Sequence, residues 1–205
     1  MTLDRLAFRA VLGRFASGVT VVSTVHDRLD HAMTASAFSS VSLDPPLVAV
    51  FVNRRSRFHG AVVASRQWAV SILAESGQDA ASWFASPGRS ETDQFGRVDH
   101  VRGDVTGAPL VRQAIGWLEC ETWAEYDGGD HLILVGRVVS ARVLPDDTDI
   151  GTEGWDRPLL YYRSHYAALL RSSADERSQV ALRAAIIEDG AYDEGQRGPG
   201  AHERG

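Results

Sequence analysis

Residues 33–46 read Met-Thr-Ala-Ser-Ala-Phe-Ser-Ser-Val-Ser-Leu-Asp-Pro-Pro, and the apolar run 47–52 (LVAVFV) follows at once. Five of those fourteen residues carry a hydroxyl: Thr34, Ser36, Ser39, Ser40 and Ser42. A core strand has no use for so many. A segment that brings its backbone and short donors against a flat, polar ligand does. An edge strand with Ser and Thr turned to water explains the composition equally well. The double proline breaks the segment, because Pro fixes φ and restricts the residue before it. Residues 47–52 then read as a buried, central strand.

Upstream, residues 4–15 space Leu6, Ala10, Val11, Leu12 and Phe15 as a short amphipathic helix, which Ser17-Gly18 ends. Residues 19–25 are β-branched and read as a strand. A polar turn at 27–30 joins it to a second extended segment, 32–42, as a hairpin. Downstream, Ser56 is placed to cap a helix running to about Ser65, with Phe58, Val62 and Val63 inward. Residues 68–73 form another strand and 78–84 a short helix. Residues 85–107 show little periodicity and read as a long loop, a length often tied to function. Segments 116–123 and 131–144 pair around the turn 127–130, and 159–162 is a last short strand. Many strands, few helices and several hairpins predict a mainly β fold: a β-barrel with helices packed outside it. Residues 175–188 carry one more helical pattern. The Gly-, Arg- and Glu-rich stretch 189–205 is expected to be disordered.

The 205 residues suffice for one domain with a substantial core. The net charge of −6 comes without a basic stripe, which disfavours nucleic acid as a partner. All 21 basic residues are Arg. Without lysine there is no Schiff-base or P-loop chemistry. No apolar run approaches the roughly eighteen residues of a membrane span. Residues 1–5 lack the start of a secretory signal. The single Cys120 fits a reducing cytoplasm, and its setting, Leu-Glu-Cys-Glu, reads as a strand with the thiol buried. The seven His show no metal-ligand spacing. There is neither a G-x-S-x-G elbow nor a G-x-G-x-x-G fingerprint.

Two further groups stand beside the hydroxyl-rich segment. In Asn53-Arg54-Arg55-Ser56-Arg57 three guanidiniums, a serine and a helix start follow a buried strand. Free N–H groups, the positive helix end and forked Arg donors suit a phosphate, although a solvated basic turn reads the same in isolation. Gly129-Asp130-His131 opens a strand, where the His either orients a ligand or is an ordinary exposed strand residue.

Taken in order, F-A-S-G-V-T-V-V (15–22), A-M-T-A-S-A-F-S-S-V-S-L-D-P-P-L-V (32–48), N-R-R-S-R (53–57), W-A-V-S-I-L (68–73), Q-F-G-R-V (94–98), G-A-P-L-V (107–111), W-L-E-C-E (117–121), G-D-H-L-I-L-V-G-R-V (129–138) and P-L-L-Y-Y-R (158–163) resemble the short-chain flavin reductases. These are the small components of two-component flavin-dependent monooxygenases. The resemblance covers roughly residues 7–170 and departs from the family's usual pattern at Phe58, Tyr162 and the extension from Arg171. It implies an antiparallel, Greek-key, FMN-binding split β-barrel over residues 1–170. It implies a cytoplasmic homodimer that binds FMN or FAD near the subunit interface. NADH or NADPH serves as co-substrate, hydride passes from nicotinamide C4 to flavin N5, and reduced flavin goes to a partner monooxygenase. By position, Met33, Thr34, Ala35 and Ser36 would line the flavin ring and ribityl chain. Backbone groups around Ser40 and Val41 would meet the pyrimidine edge. Asn53, Ser56 and Arg57 would hold the phosphate end. His131, with Tyr161 and Arg163, would place the nicotinamide. No catalytic side chain and no metal are implied, since the cofactor supplies the reactivity. A flavin-binding electron carrier and a pyridoxamine phosphate oxidase-like enzyme are alternatives on the same barrel.

Overall fold

The computed structural model describes residues 3–90, 92–144 and 157–169. In chain order these form α1 (Arg5–Leu12), β1 (Ser17–Gly18), β2 (Thr20–His26), β3 (Leu29–Ala35), β4 (Phe38–Leu43), β5 (Pro46–Asn53), α2 (Arg57–Ser65), β6 (Gln67–Leu73), a 3₁₀ turn (Glu75–Gly77) and α3 (Gln78–Ala85). There follow β7 (His100–Arg102), β8 (Pro109–Val111), β9 (Ala114–Gly128), β10 (His131–Val143), β11 (Leu159–Tyr162) and β12 (His165–Ala168). The fold is mainly β, as expected, and every strand pairing among the described residues is antiparallel. The expected helix at 175–188 and the tail from 189 lie outside the described residues.

Seven strands make one sheet in the order β3-β2-β6-β9-β10-β5-β4. Its two edge strands are consecutive in the chain. Laid flat, seven strands would hold their edges roughly 29 Å apart. Yet Ala35 and Phe38 are separated by two residues, a reach of at most about 11 Å. The sheet therefore curls until its edges approach at the Ser36-Ala37 corner. This corrects the reading of 32–42 as one strand: Ser36 and Ala37 leave the ladder because the chain must pass there from one edge to the other. It also corrects the placing of 47–52 at the centre. β5 lies one strand in from the edge, because the turn at Asp44-Pro45 folds β4 back onto it, pairing Leu43 with Pro46.

Both faces of the curled sheet are buried along β2, where Thr20 to Thr24 are buried at consecutive positions, polar residues included. Val22 joins Val50, Val52, Trp68, Val70, Cys120 and Leu134 in a core closed by Phe58 and Val62 of α2. Val19 and Val21 point the other way, to Leu73, Ala81 and Phe84 of the α3 side. Cys120 is fully buried, as its strand setting predicts. The stretch 85–107 is less open than its composition suggests. Gln94, Phe95 and Val98 are buried, and β7 pairs with β8. Its buried residues are too few to set a period. β1, two residues long, is likewise too short to carry a pattern, and the His-Tyr-Ala-Ala of β12 lacks the apolar run that marks β11. β1 and β12 join β11 in a separate three-stranded sheet. Among the described residues no helix is long and apolar enough to cross a membrane.

Candidate functional site

β4 pairs with β5, β5 pairs with β10, and the register sets Asn53 directly opposite His131. Two groups about eighty residues apart in sequence are thereby neighbours across one ladder. The turn after β5 is tightly fixed. Arg54 donates to the Asp127 carboxylate at 2.7 Å, and its backbone N–H donates to the Asp130 carbonyl at 3.1 Å. Arg54 is thus spent clamping the β9–β10 turn and does not join the other arginines, contrary to the meeting of three guanidiniums expected from sequence. The Asn53 amide oxygen accepts the Arg55 N–H at 2.8 Å, an Asx turn that points the chain into α2.

Helix α2 begins as predicted after Ser56, but the Ser56 side chain makes no capping bond. Its Oγ is buried without a hydrogen-bond partner at the helix N-terminus. A buried hydroxyl left so is costly, and here it lies where helix N–H groups and the positive dipole end favour an anion. Arg57 follows, donating to the carbonyls of Arg89 at 3.1 Å and Pro87 at 3.3 Å. Burial, and then the nearby Arg57 charge, hold the Arg89 guanidinium below its ordinary pKa. The Arg57 and Arg89 guanidiniums are therefore near each other, Arg57 being the residue after Ser56.

The hydroxyl-rich segment straddles the corner where the sheet edges approach. Met33 is half-buried against the core. Thr34 donates its hydroxyl to the Ala81 carbonyl of α3 at 2.6 Å. Ala35 is buried, and its carbonyl accepts the Thr20 hydroxyl at 2.9 Å. Ser36 and Ser40 are exposed, and Val41, at the β-bulge between Ser40 and Ser42, is 54 % exposed. The segment thus combines fixed residues (Thr34, Ala35) with an open edge (Ser36 to Val41): the Thr34 hydroxyl is taken by α3, while Ser36, Ser39 and Ser40 are exposed.

His131 is half-exposed, with Nδ1 2.7 Å from the Asp130 carboxylate. That hydrogen bond, with the His131 charge, holds the Asp130 carboxyl below its usual range. It engages Nδ1 of the ring. Tyr161 and Arg163 lie on the smaller sheet instead. Tyr161 packs edge-on against Tyr166 with centroids 5.6 Å apart. Arg163 and Ser164 take positive φ in the β11–β12 turn, and the Arg163 N–H donates to the Gly13 carbonyl at 2.7 Å. The ladder thus unites Ser40, Val41, Asn53 and His131, while Tyr161 and Arg163 belong to a separate sheet.

Sequence reasoning missed Arg89 and Gln94. Arg89 donates to the carbonyls of Trp83, Phe84 and Ser86 at the end of α3, and to Ala32 of β3 at 3.0 Å. Gln94 accepts the Ala32 N–H at 3.2 Å. Only the Q-F-G-R-V run hinted at Gln94; Arg89, in an aperiodic Gly-Arg-Ser stretch, had no signal. A cavity of about 320 Å³ beside α3, lined by Asp79, Trp83 and Arg97 among others, contains none of the predicted residues.

Residues 12–170 match the model of the flavin reductase like domain. The chain is 43 % identical over 143 residues to an NADH-dependent FAD reductase of Streptomyces globisporus, covering 69 % of this chain and 78 % of that one. It is 34 % identical over 167 residues to the reductase subunit HsaB of a flavin-dependent monooxygenase of Mycobacterium tuberculosis, covering 82 % and 83 %. Among solved structures, BorF, the flavin reductase component of a bacterial two-component tryptophan halogenase, superposes with a TM-score of 0.73 at 38 % identity, covering 82 % of this chain and all of that one. The Streptomyces globisporus NADH:FAD oxidoreductase SgcE6, in complex with NAD and FAD fragments, gives 0.74 at 35 % identity, covering 83 % and 95 %.

Proposed function

Because the chain belongs to the flavin reductase like domain family, we propose that it is an NADH-dependent flavin reductase that supplies reduced flavin to a partner monooxygenase. The observation that carries this reading is the cross-strand pairing of Asn53 with His131. That pairing sets Asn53 and His131, read here as phosphate and nicotinamide contacts, on one ladder with the edge strand that holds Ser40, which supports the reading. The relatives' names favour FAD and NADH over the other flavin and nucleotide.

The residues present fit a flavin phosphate. The buried Ser56 Oγ has no protein partner, stands at a helix N-terminus and is followed by Arg57. The Ser36–Val41 edge offers strand N–H and C=O groups to a ring edge. Bound flavin supplies the hydride-accepting chemistry. The chain's own tasks are to hold two flat rings in register, to present backbone N–H donors where negative charge develops, and to engage the His131 imidazole through Asp130.

The finer architecture belongs to the same proposal. The curled sheet, with β3 and β4 meeting at one corner, is read as a split barrel, and residues 1–170 as its domain. A homodimer is supported by α1. This helix buries none of its side chains and leaves Leu6 76 % and Val11 67 % exposed. An eight-residue helix with no packing is marginal in water, so a second copy is the surface that stabilises it.

Steady-state NADH and NADPH oxidation with FAD and with FMN tests the function. Turnover with at least one pair, fastest with NADH and FAD, is expected. No flavin-dependent oxidation with any of the four pairs refutes it. Hydrogen peroxide formed from an amine without nicotinamide would instead favour the oxidase alternative.

A further inference from the structure

Ala32 lies on β3, an edge strand of the seven-stranded sheet, opposite Ser23. An edge strand turns every second residue's N–H and C=O away from its neighbour. At Ala32 both outward groups are taken by side chains from the 86–95 segment: Arg89 donates to its carbonyl at 3.0 Å and Gln94 accepts from its N–H at 3.2 Å. The staple is itself anchored. Arg89 Nη1 binds three carbonyls at the end of α3, and Trp83 Nε1 donates to the Gln94 carbonyl at 2.8 Å. The same Arg89 offers its carbonyl to Arg57 at 3.1 Å. One side chain and its backbone thus tie together α3, the edge strand β3 and the first turn of α2.

The next residue on β3 whose backbone faces the same open edge is Thr34, two positions on, followed by the Ser36 corner. The placement of Thr34 and Ser36 against a ligand therefore depends on where the staple holds Ala32. Thr34's own hydroxyl bond to Ala81 reaches the same helix, so α3 holds the edge both directly and through the staple.

We infer that Arg89, acting with Gln94, is a positioning residue for flavin binding: it sets the β3 edge and the α2 turn at a fixed separation through Ala32 and Arg57. This rests on the flavin site proposed above. Arg89 acts through strand and turn, and its removal loosens the flavin without altering how the nicotinamide is used.

The test compares wild type with Arg89→Gln and Arg89→Lys, and with Arg112→Gln, an exposed ion-pair variant, as control. Flavin affinity is read by fluorescence quenching, NADH KM at saturating flavin, and amide hydrogen exchange over residues 30–36 and 48–52. The expected result is a roughly ten-fold rise in flavin Kd for Arg89→Gln and a smaller rise for Arg89→Lys. NADH KM should stay within two-fold, with faster exchange confined to 30–36. Arg112→Gln should match wild type. A folded Arg89→Gln with wild-type flavin Kd overturns the inference, as does exchange that rises equally in both segments. If Arg89→Gln fails to fold, the same readings on Arg89→Lys decide. A wild-type chain that neither binds flavin nor oxidises NADH would instead sink the proposed function itself.

Discussion

The bare backbone of Gly136 in β10 packs against the indole of Trp68 in β6: a Cβ built at 136 would overlap the ring at Cζ2, with Cys120 Cβ 3.0 Å away. The ring is fully buried and cannot swing aside. Gly136→Ala is therefore an overpacking change in a dense core, with an expected loss of about 1–3 kcal/mol. Urea unfolding measures it, and an unchanged midpoint would contradict the packing.

Cys120 belongs to the same layer. Burial first, and then the adjacent Glu119 charge, push its thiol up to about 12. A thiol that is not ionised and has no access to solvent does not react. An aromatic disulfide reagent at pH 8 should leave the native chain unlabelled and label one thiol per chain in denaturant. Rapid labelling of the native protein would show the layer to be open.

Glu119 is 3 % exposed and is the one buried carboxylate among the described residues. Burial raises its pKa, but donors from Thr106 (N–H 2.7 Å, hydroxyl 2.8 Å) and Val105 (N–H 3.0 Å) outweigh it, so the net shift is downward. A folded pKa below the unfolded one stabilises the protein above the ordinary carboxylate range and loses that contribution as pH falls through the folded value. Glu119→Gln should unfold more easily at pH 7 and lose stability less steeply between about pH 5 and pH 2 than wild type. Glu119→Ala, which leaves three donors unmet, should cost on the order of 3 kcal/mol. Parallel stability-versus-pH curves for wild type and Glu119→Gln would rule out this role.

His131, hydrogen-bonded to Asp130 and set opposite Asn53, is read as a nicotinamide contact. His131→Ala should raise NADH KM about ten-fold, in line with one ligand hydrogen bond of roughly 1–2 kcal/mol, with flavin Kd little changed. Asp130→Asn should act in the same direction and more weakly. A collapse of flavin affinity with normal NADH kinetics per bound flavin would reassign the residue.

If α1 is covered by a second copy, charges on its exposed stripe should split the dimer. Sedimentation of Leu6→Glu/Val11→Glu is expected to show monomer where wild type is dimeric, with the strand content unchanged by circular dichroism. A double variant that sediments like wild type excludes α1 from the interface.

Local features were legible in the chain wherever the period was long enough to read. The hairpin through residues 27–30, the long β9–β10 pair, the helix after Ser56 and the burial of Cys120 all follow from alternation, turn residues and caps. So did the stretches carrying Asn53, Ser56, Arg57 and His131. What stayed hidden has a common cause. Arg89, Gln94 and β1 owe their places to partners far away in sequence, and single residues or pairs carry no period; β12 pairs locally with β11, but its His-Tyr-Ala-Ala has no apolar run to mark it. The three guanidiniums after β5 looked equivalent as letters, yet the β9–β10 turn claims Arg54 alone.

By itself the sequence determined most of the longer strands and helices and which short runs are rich in hydroxyl and guanidinium groups, because side-chain pattern and backbone propensity act locally. Only the tertiary structure decided that residues 33–41 run from one edge of the sheet to the other, that Asn53 faces His131, and that Arg89 rather than Arg54 stands beside Arg57. Those relationships are set by strand order and register, which depend on how the whole sheet curls to bury both of its faces.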